Sequence, residues 1–255
     1  MNDEIIEIEV RDLTMGYGDR IIMQGLNCDI KKGEIFVILG GSGCGKSTLL
    51  KHMIGLYPPM AGEIFIKGQS IVNAATSEKQ NIMKSFGVLY QSGALFGSLT
   101  LEENISIVLE EHTTLNKKEI KERANEKLAL VDLTGFNDFY PAEISGGMKK
   151  RAGLARALAL NPDLLFFDEP SAGLDPISSA NLDRLLLKLR DEIGATMVIV
   201  THELDSIYAI ANKVIVLDKD TKNIIASGNP HELKKNCEID FVKRFLNRDG
   251  LSKQE

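Results

Sequence analysis

Residues 40–47 read Gly-Gly-Ser-Gly-Cys-Gly-Lys-Ser, and they constrain the fold more than any other stretch of the chain. Ile35–Leu39 before them is apolar without alternation, as in a central strand buried on both faces. Ser47 to about Ile54 after them fits a helix. The spacing matches G-x-x-x-x-G-K-[ST] in the strand–helix context that this motif requires. Gly40, Gly41, Gly43 and Gly45 let the backbone around Ser42 and Cys44 curl, so that successive N–H groups point at phosphate oxygens. The helix N-terminus adds partial positive charge. Lys46 is placed to bridge β- and γ-phosphates, Ser47 to ligate Mg²⁺, and Thr48 to add a hydroxyl near the α-phosphate. Cys44 is read as a side chain the loop tolerates and not as a redox switch.

A second strand-like run, Leu164–Phe167, ends in Asp168 and Glu169, 122 residues after Lys46. Strands of a parallel sheet deliver ligand-binding residues at their carboxyl ends. Asp168 suits a water-mediated Mg²⁺ contact, and Glu169 suits a general base toward an attacking water.

The rest of the chain frames these motifs. Ile6, Ile8 and Val10 alternate with Glu7, Glu9 and Arg11, as in a half-buried strand, and a Gly-Tyr-Gly turn is expected at 16–18. A second apolar stretch runs from Ile21 to Ile30. Further strands are expected at Met197–Val200, Val214–Leu217 and Ile224–Ala226. Helical spacing dominates from about Thr100 to Leu160, with Ser145 placed as an N-cap. Leu182, Leu185, Leu186 and Leu189 mark another amphipathic helix. The expected organisation is one α/β domain over 1–247. Its core covers about 1–90 and 161–237, a helical subdomain covers about 92–160, and residues 238–255 form an amphipathic helix and mobile tail. A single domain with long crossovers is the alternative.

Composition excludes several classes. With 255 residues, 44% hydrophobic and 26% charged, the chain is globular and holds one or two domains. No strictly apolar run exceeds five residues, and the acidic start lacks a signal-peptide pattern, so a cytoplasmic location is expected. The net charge of −6 argues against nucleic acid as a partner. Cys28, Cys44 and Cys237 have no C-x-x-C spacing and read as free thiols.

Ile144-Ser145-Gly146-Gly147-Met148 lies just upstream of Asp168 and resembles the signature of ATP-binding-cassette ATPases. Other residues continue that resemblance. Gln91 matches the glutamine that contacts Mg²⁺ and the lytic water, and Ser171–Asp175 matches the D-loop. His202 matches the histidine at the γ-phosphate, and Tyr17 the aromatic that stacks on adenine. The resemblance implies a P-loop NTPase core of RecA-like parallel sheet, with an N-terminal antiparallel β region and a helical subdomain. It also implies a head-to-tail homodimer, with ATP held between the Lys46 loop of one subunit and the Ser145 helix of the other. Ser145, Gly146, Gly147 and Asp175 would then serve the partner's nucleotide. Met148 departs from the usual glutamine, so a polar contact is lost there. His52, His112 and His231 are read as structural.

Tyr90–Phe96, Ile144–Arg156 and Asp168–Ser179 are similar to the ATPase subunits of Mla-type transporters, also known as toluene-tolerance or MCE-associated cassettes. That similarity implies phospholipid movement between membranes, powered at the cytoplasmic face of a bacterial inner membrane. It further implies a membrane permease, an MCE-domain lipid-binding protein and a STAS-domain regulator as partners. The alternatives are a cassette for another substrate such as a small solute, and a non-transport cassette ATPase. Leu95, Phe96 and Leu99 follow Gln91 closely and read either as a permease-docking patch or as core.

Overall fold

The computed structural model describes residues 5–248. The chain packs as two compact units, one from the chain up to Lys79 together with the chain from Val198 onward, the other Gln80–Met197.

The first unit opens with β1 (Ile6–Tyr17) and β2 (Arg20–Lys31), an antiparallel pair. Then come β3 (Ile35–Gly40), α1 (Lys46–Met53), β4 (Ala61–Ile66) and β5 (Gln69–Ser70). β2, β1, β4 and β5 form an antiparallel sheet in that order. Ile8, Val10, Leu13, Met15, Leu26 and Ile30 are buried in its core. Two local expectations are corrected here. The register shifts between Ile6 and Ile8, so Ile6 faces out and Glu7 faces in, where its carboxylate meets Lys67 Nζ at 3.4 Å. β1 also runs through Gly16 and Tyr17, which pair with Ile21 and Arg20, and the turn is Gly18-Asp19. A side chain at position 16 would strike the Arg20 carbonyl, so that glycine serves close strand approach and makes no turn.

The chain enters the second unit through α2 (Thr76–Lys84), a helix too short and polar to show in the sequence pattern. β6 (Phe86–Leu89) follows, then α3 (Leu101–His112), α4 (Lys117–Leu130), a 3₁₀ turn at Pro141–Glu143 and α5 (Gly146–Ala157). β7 (Leu164–Asp168) pairs with β6 in parallel, and α6 (Pro176–Ile193) buries Leu182, Leu185, Leu186 and Leu189. Thr100 and Asn116 close full capping boxes at α3 and α4 with Glu103 and Glu119. Asn104 is fully buried yet satisfied: its Oδ1 accepts from Phe96 N at 2.8 Å. Its Nδ2 donates to the carbonyls of Phe96, Leu99 and Thr100.

β8 (Thr196–Val200) returns the chain to the first unit. There α7 (Leu204–Ile210) leads to β9 (Lys213–Asp218), β10 (Asn223–Gly228), α8 (Pro230–Asn236) and α9 (Asp240–Asn247). β3 and β9 are parallel neighbours, from Phe36 opposite Lys213 to Gly40 opposite Leu217. Val242 and Leu246 form the buried face of α9. The tail expected from about residue 247 lies, past Arg248, outside the described residues.

Candidate functional site

In the first unit, β3 ends at Gly40 and α1 begins at Lys46, so residues 41–45 form the connecting loop. Gly40 has φ +147°, and a Cβ there would lie 2.5 Å from the Leu217 carbonyl oxygen; only glycine lets β3 turn this close to β9. Gly45 is left-handed at φ +100° and makes no side-chain cap to α1. The first turn of α1 also carries no acidic residue, which suits the helix start to an anion. The Lys46 ammonium donates to the carbonyls of Gly40 and Gly41 at 2.9 and 3.1 Å, so it arches back over the loop. Cys44 is buried, and burial pushes its thiol up from its ordinary value, in keeping with an inert side chain.

Tyr17 closes on the same helix. Its hydroxyl lies 3.2 Å from Thr48 Oγ1, and its half-exposed ring meets Tyr57 edge-on at 5.9 Å. His202 follows β8 and is well exposed, with Nε2 3.9 Å from Glu203 Oε1. One neighbour comes from far along the chain. The ring of Phe241 on α9 stands 3.9 Å from where a Cβ on Gly41 would be. A ring 200 residues downstream carries no sequence signal of that proximity.

In the second unit, Leu89 of β6 pairs with Phe167 of β7, so the two strands release Tyr90-Gln91 and Asp168-Glu169 side by side. Glu169 has φ +50°, an unusual conformation for a residue with a side chain. Tyr90 is pushed up by burial and by the Asp168 carboxylate. Lys150 of α5, between Lys149 and Arg151, carries no sequence signal of its role. It is 5% exposed, and its ammonium donates to the carbonyls of both Gln91 and Glu169, the latter at 3.2 Å. Burial lowers its pKa, while Glu169 and Asp168 oppose that shift. Arg156, on the same helix, donates to the carbonyls of Ala94 at 2.8 Å and Gly93 at 3.2 Å. Its guanidinium lies 5.8 Å from the centre of the Phe96 ring. Phe96 is 52% exposed and Leu95 and Leu99 are half-buried, which removes Phe96 from the core.

Ser145 caps α5, its Oγ accepting from Met148 N at 3.3 Å, as the sequence pattern predicts. Asp175 caps α6, accepting from the backbone N–H groups of Ile177 and Ser178, and from Ser178 Oγ at 2.5 Å. The Ser178 bonds hold its carboxyl below the usual range. A cavity of about 390 Å³ opens beside both caps, lined by Ser145, Gly147, Ser178, Arg151, Arg184 and Lys188 among others. Gly146 begins α5 and is exposed.

A glycine loop between a parallel strand and a helix, and strand-end carboxylates beside a glutamine, define a P-loop NTPase. The serine-capped helix with its two glycines narrows that class. The chain belongs to the ABC transporter family, whose model matches residues 23–172, and it is a cassette ATPase subunit. It is 42% identical over 242 residues to the probable ribonucleotide transport ATP-binding protein mkl of Mycobacterium leprae, covering 95% of this chain and 69% of that one. It is 40% identical over 243 residues to the intermembrane phospholipid transport system ATP-binding protein MlaF of Haemophilus influenzae, covering 95% and 90%. Among solved structures, the cassette MJ0796, a dimer in a post-hydrolysis state bound to ADP and Pi, is similar at a TM-score of 0.78. Its sequence identity is 30%, over 87% of this chain and 98% of that one. Among the described residues, no helix is long and apolar enough to cross a membrane.

Proposed function

We propose that this cassette hydrolyses ATP to drive phospholipid transport between two membranes, as a peripheral homodimer on a permease at the cytoplasmic face of the inner membrane. The observation that carries the substrate is the 40% identity to MlaF over 90% of its length. The three Mla-like stretches, at 90–96, 144–156 and 168–179, support it. The name of mkl supports a second reading, ribonucleotide transport. An MCE-domain protein and a STAS-domain regulator complete the proposed assembly.

The residue roles follow from their chemistry. Backbone N–H groups of 41–46 and the Lys46 ammonium take the β- and γ-phosphates, and Thr48 stands near the α-phosphate. Tyr17 offers its exposed ring to adenine. Ser47, Gln91 and, through water, Asp168 fit Mg²⁺: a hydroxyl, an amide oxygen and a carboxylate are hard oxygen donors. When bound, the ion neutralises charge developing on the phosphates. Glu169 accepts the proton of the attacking water, and Gln91 orients that water. His202 donates to a γ-phosphate oxygen. In the head-to-tail dimer, Ser145, Gly146 and Gly147 present a hydroxyl and a helix start to the partner's γ-phosphate, with Asp175 beside them. The arginines and lysine of the adjoining cavity favour an anion there.

The test is a native pull-down with tagged Glu169→Gln chain, extracted from membranes in mild detergent with ATP. Replacing the base is expected to lower hydrolysis by roughly 10²-fold or more and to trap the dimer. A multi-span permease with an MCE protein and enriched phospholipid is the expected catch. A permease with a soluble-solute binding protein overturns the lipid substrate. Soluble partners alone overturn transport.

A further inference from the structure

We propose that Lys150 is a positioning residue of the ATPase, holding the main chain of Gln91 and Glu169 in register with the helix that begins at Ser145. The proposal rests on the roles given above to Gln91, Glu169 and Ser145.

A lysine that is 5% exposed carries a desolvation cost. An apolar side chain of similar length would fill the same space more cheaply, so packing alone does not call for an ammonium. What the ammonium adds is a pair of hydrogen bonds, to the Gln91 and Glu169 carbonyls. These carbonyls leave the ends of adjacent parallel strands, β6 and β7. They belong to the residue that orients the water and to the residue that takes its proton.

Glu169 sits at φ +50°, a left-handed conformation that is unfavourable for a residue with a side chain. Such a backbone persists only where its surroundings over-determine it. The bond from Lys150 to the Glu169 carbonyl is one such restraint. Arg156 repeats the device on the same helix. It holds the carbonyls of Gly93 and Ala94, and Ala94 is also left-handed at φ +50°. α5 therefore grips the loop after Gln91 through two cations.

Lys150 stands five residues after Ser145 on one rigid helix. A displacement of the helix start is carried directly to the two carbonyls. In the head-to-tail dimer that start faces the partner's nucleotide. Lys150 is thereby the link that passes engagement of one nucleotide to the water-activating groups at the other.

The experiment measures steady-state hydrolysis by the complex purified through the tagged chain, as wild type, Glu169→Gln, Lys150→Met, Lys150→Gln and Lys150→Arg. Lys150→Met is expected to lower kcat at least tenfold and to bring the Hill coefficient toward one. Its Kd for a fluorescent ATP analogue stays within twofold of wild type. Lys150→Arg, which keeps the donors and charge, returns kcat to within threefold. If Lys150→Met melts well below wild type, Lys150→Gln is judged by the same criteria. Three results overturn the proposal: a folded Lys150→Met with kcat within twofold of wild type, a Lys150→Arg no better than Lys150→Met, or loss of folded protein in all three variants. Wild-type hydrolysis that survives Glu169→Gln instead sinks the underlying role of Glu169, and Lys150 with it.

Discussion

The Tyr17 hydroxyl lies 3.2 Å from Thr48 Oγ1, which ties the last residue of β1 to the third residue of α1. The ring itself is 51% exposed and braced edge-on by Tyr57. If that ring stacks on adenine, Tyr17→Ala weakens ATP binding roughly tenfold, the lower end of an aromatic–base stack. Tyr17→Phe keeps the ring and loses only the bond to Thr48, so its Kd stays within about threefold. Titration with a fluorescent ATP analogue separates the two. Equal affinity in Tyr17→Ala and wild type removes Tyr17 from the site.

His52 makes stability depend on pH. Its Nδ1 lies 2.9 Å from the Tyr57 carbonyl, so the neutral ring donates from Nδ1. Its Nε2 is buried with no hydrogen-bond partner among the described residues, and burial lowers the pKa below its ordinary value of 6.5. Below pH 6.5 the unfolded chain takes up a proton that the folded chain resists. Stability therefore falls as pH drops from 6.5 toward the folded pKa. Between pH 7.5 and 5.5, wild type should lose more stability than His52→Asn. Urea midpoints at the two pH values measure the difference, and parallel losses refute it.

Thr100→Ala breaks the capping box of α3, where Thr100 Oγ1 accepts from Glu103 N and Glu103 accepts from Thr100 N. A cost of about 1 kcal/mol is expected. In a chain of this length that lowers Tm by roughly 2–4 °C. A scanning melt of the two proteins checks it. An unchanged Tm would mean that water replaces the cap without loss.

Phe96 is exposed and lies over the Arg156 guanidinium, while Asn104 fixes its backbone on both sides. A charge introduced at that ring should leave the fold and ATP binding within twofold of wild type. Transport by the assembled complex should fall severalfold if the ring docks against the permease. A Phe96→Asp chain that transports normally places the docking surface elsewhere.

The legible parts of this protein are those with local causes. The apolar run before Gly40, the glycines after it and the serine capping α5 each act within a few residues, and each appears as the pattern predicts. The acids ending β7 are equally local. Lys150 is different. Flanked by Lys149 and Arg151, it looks like part of a solvated basic face. Its burial arises only because the loop after Gln91 folds over α5, and nothing in the spacing of charges encodes that. The outward turn of Ile6 has a similar origin, a register shift against β2 that pattern reading cannot see. Phe241 beside Gly41 joins segments 200 residues apart, beyond any periodicity.

The first unit is assembled from two stretches far apart in sequence, one up to Lys79 and one from Val198 onward. Phe36 of β3 waits for Lys213 of β9, and Gly41 waits for Phe241. On a ribosome, the phosphate loop therefore emerges long before the strand and helix that flank it, while the whole of the second unit is made in between. A chain released early, before β9, carries the full nucleotide motif without the neighbours that hold its strand. The packing around the phosphate loop is therefore completed only by β9 and α9, well after the motif itself has been translated.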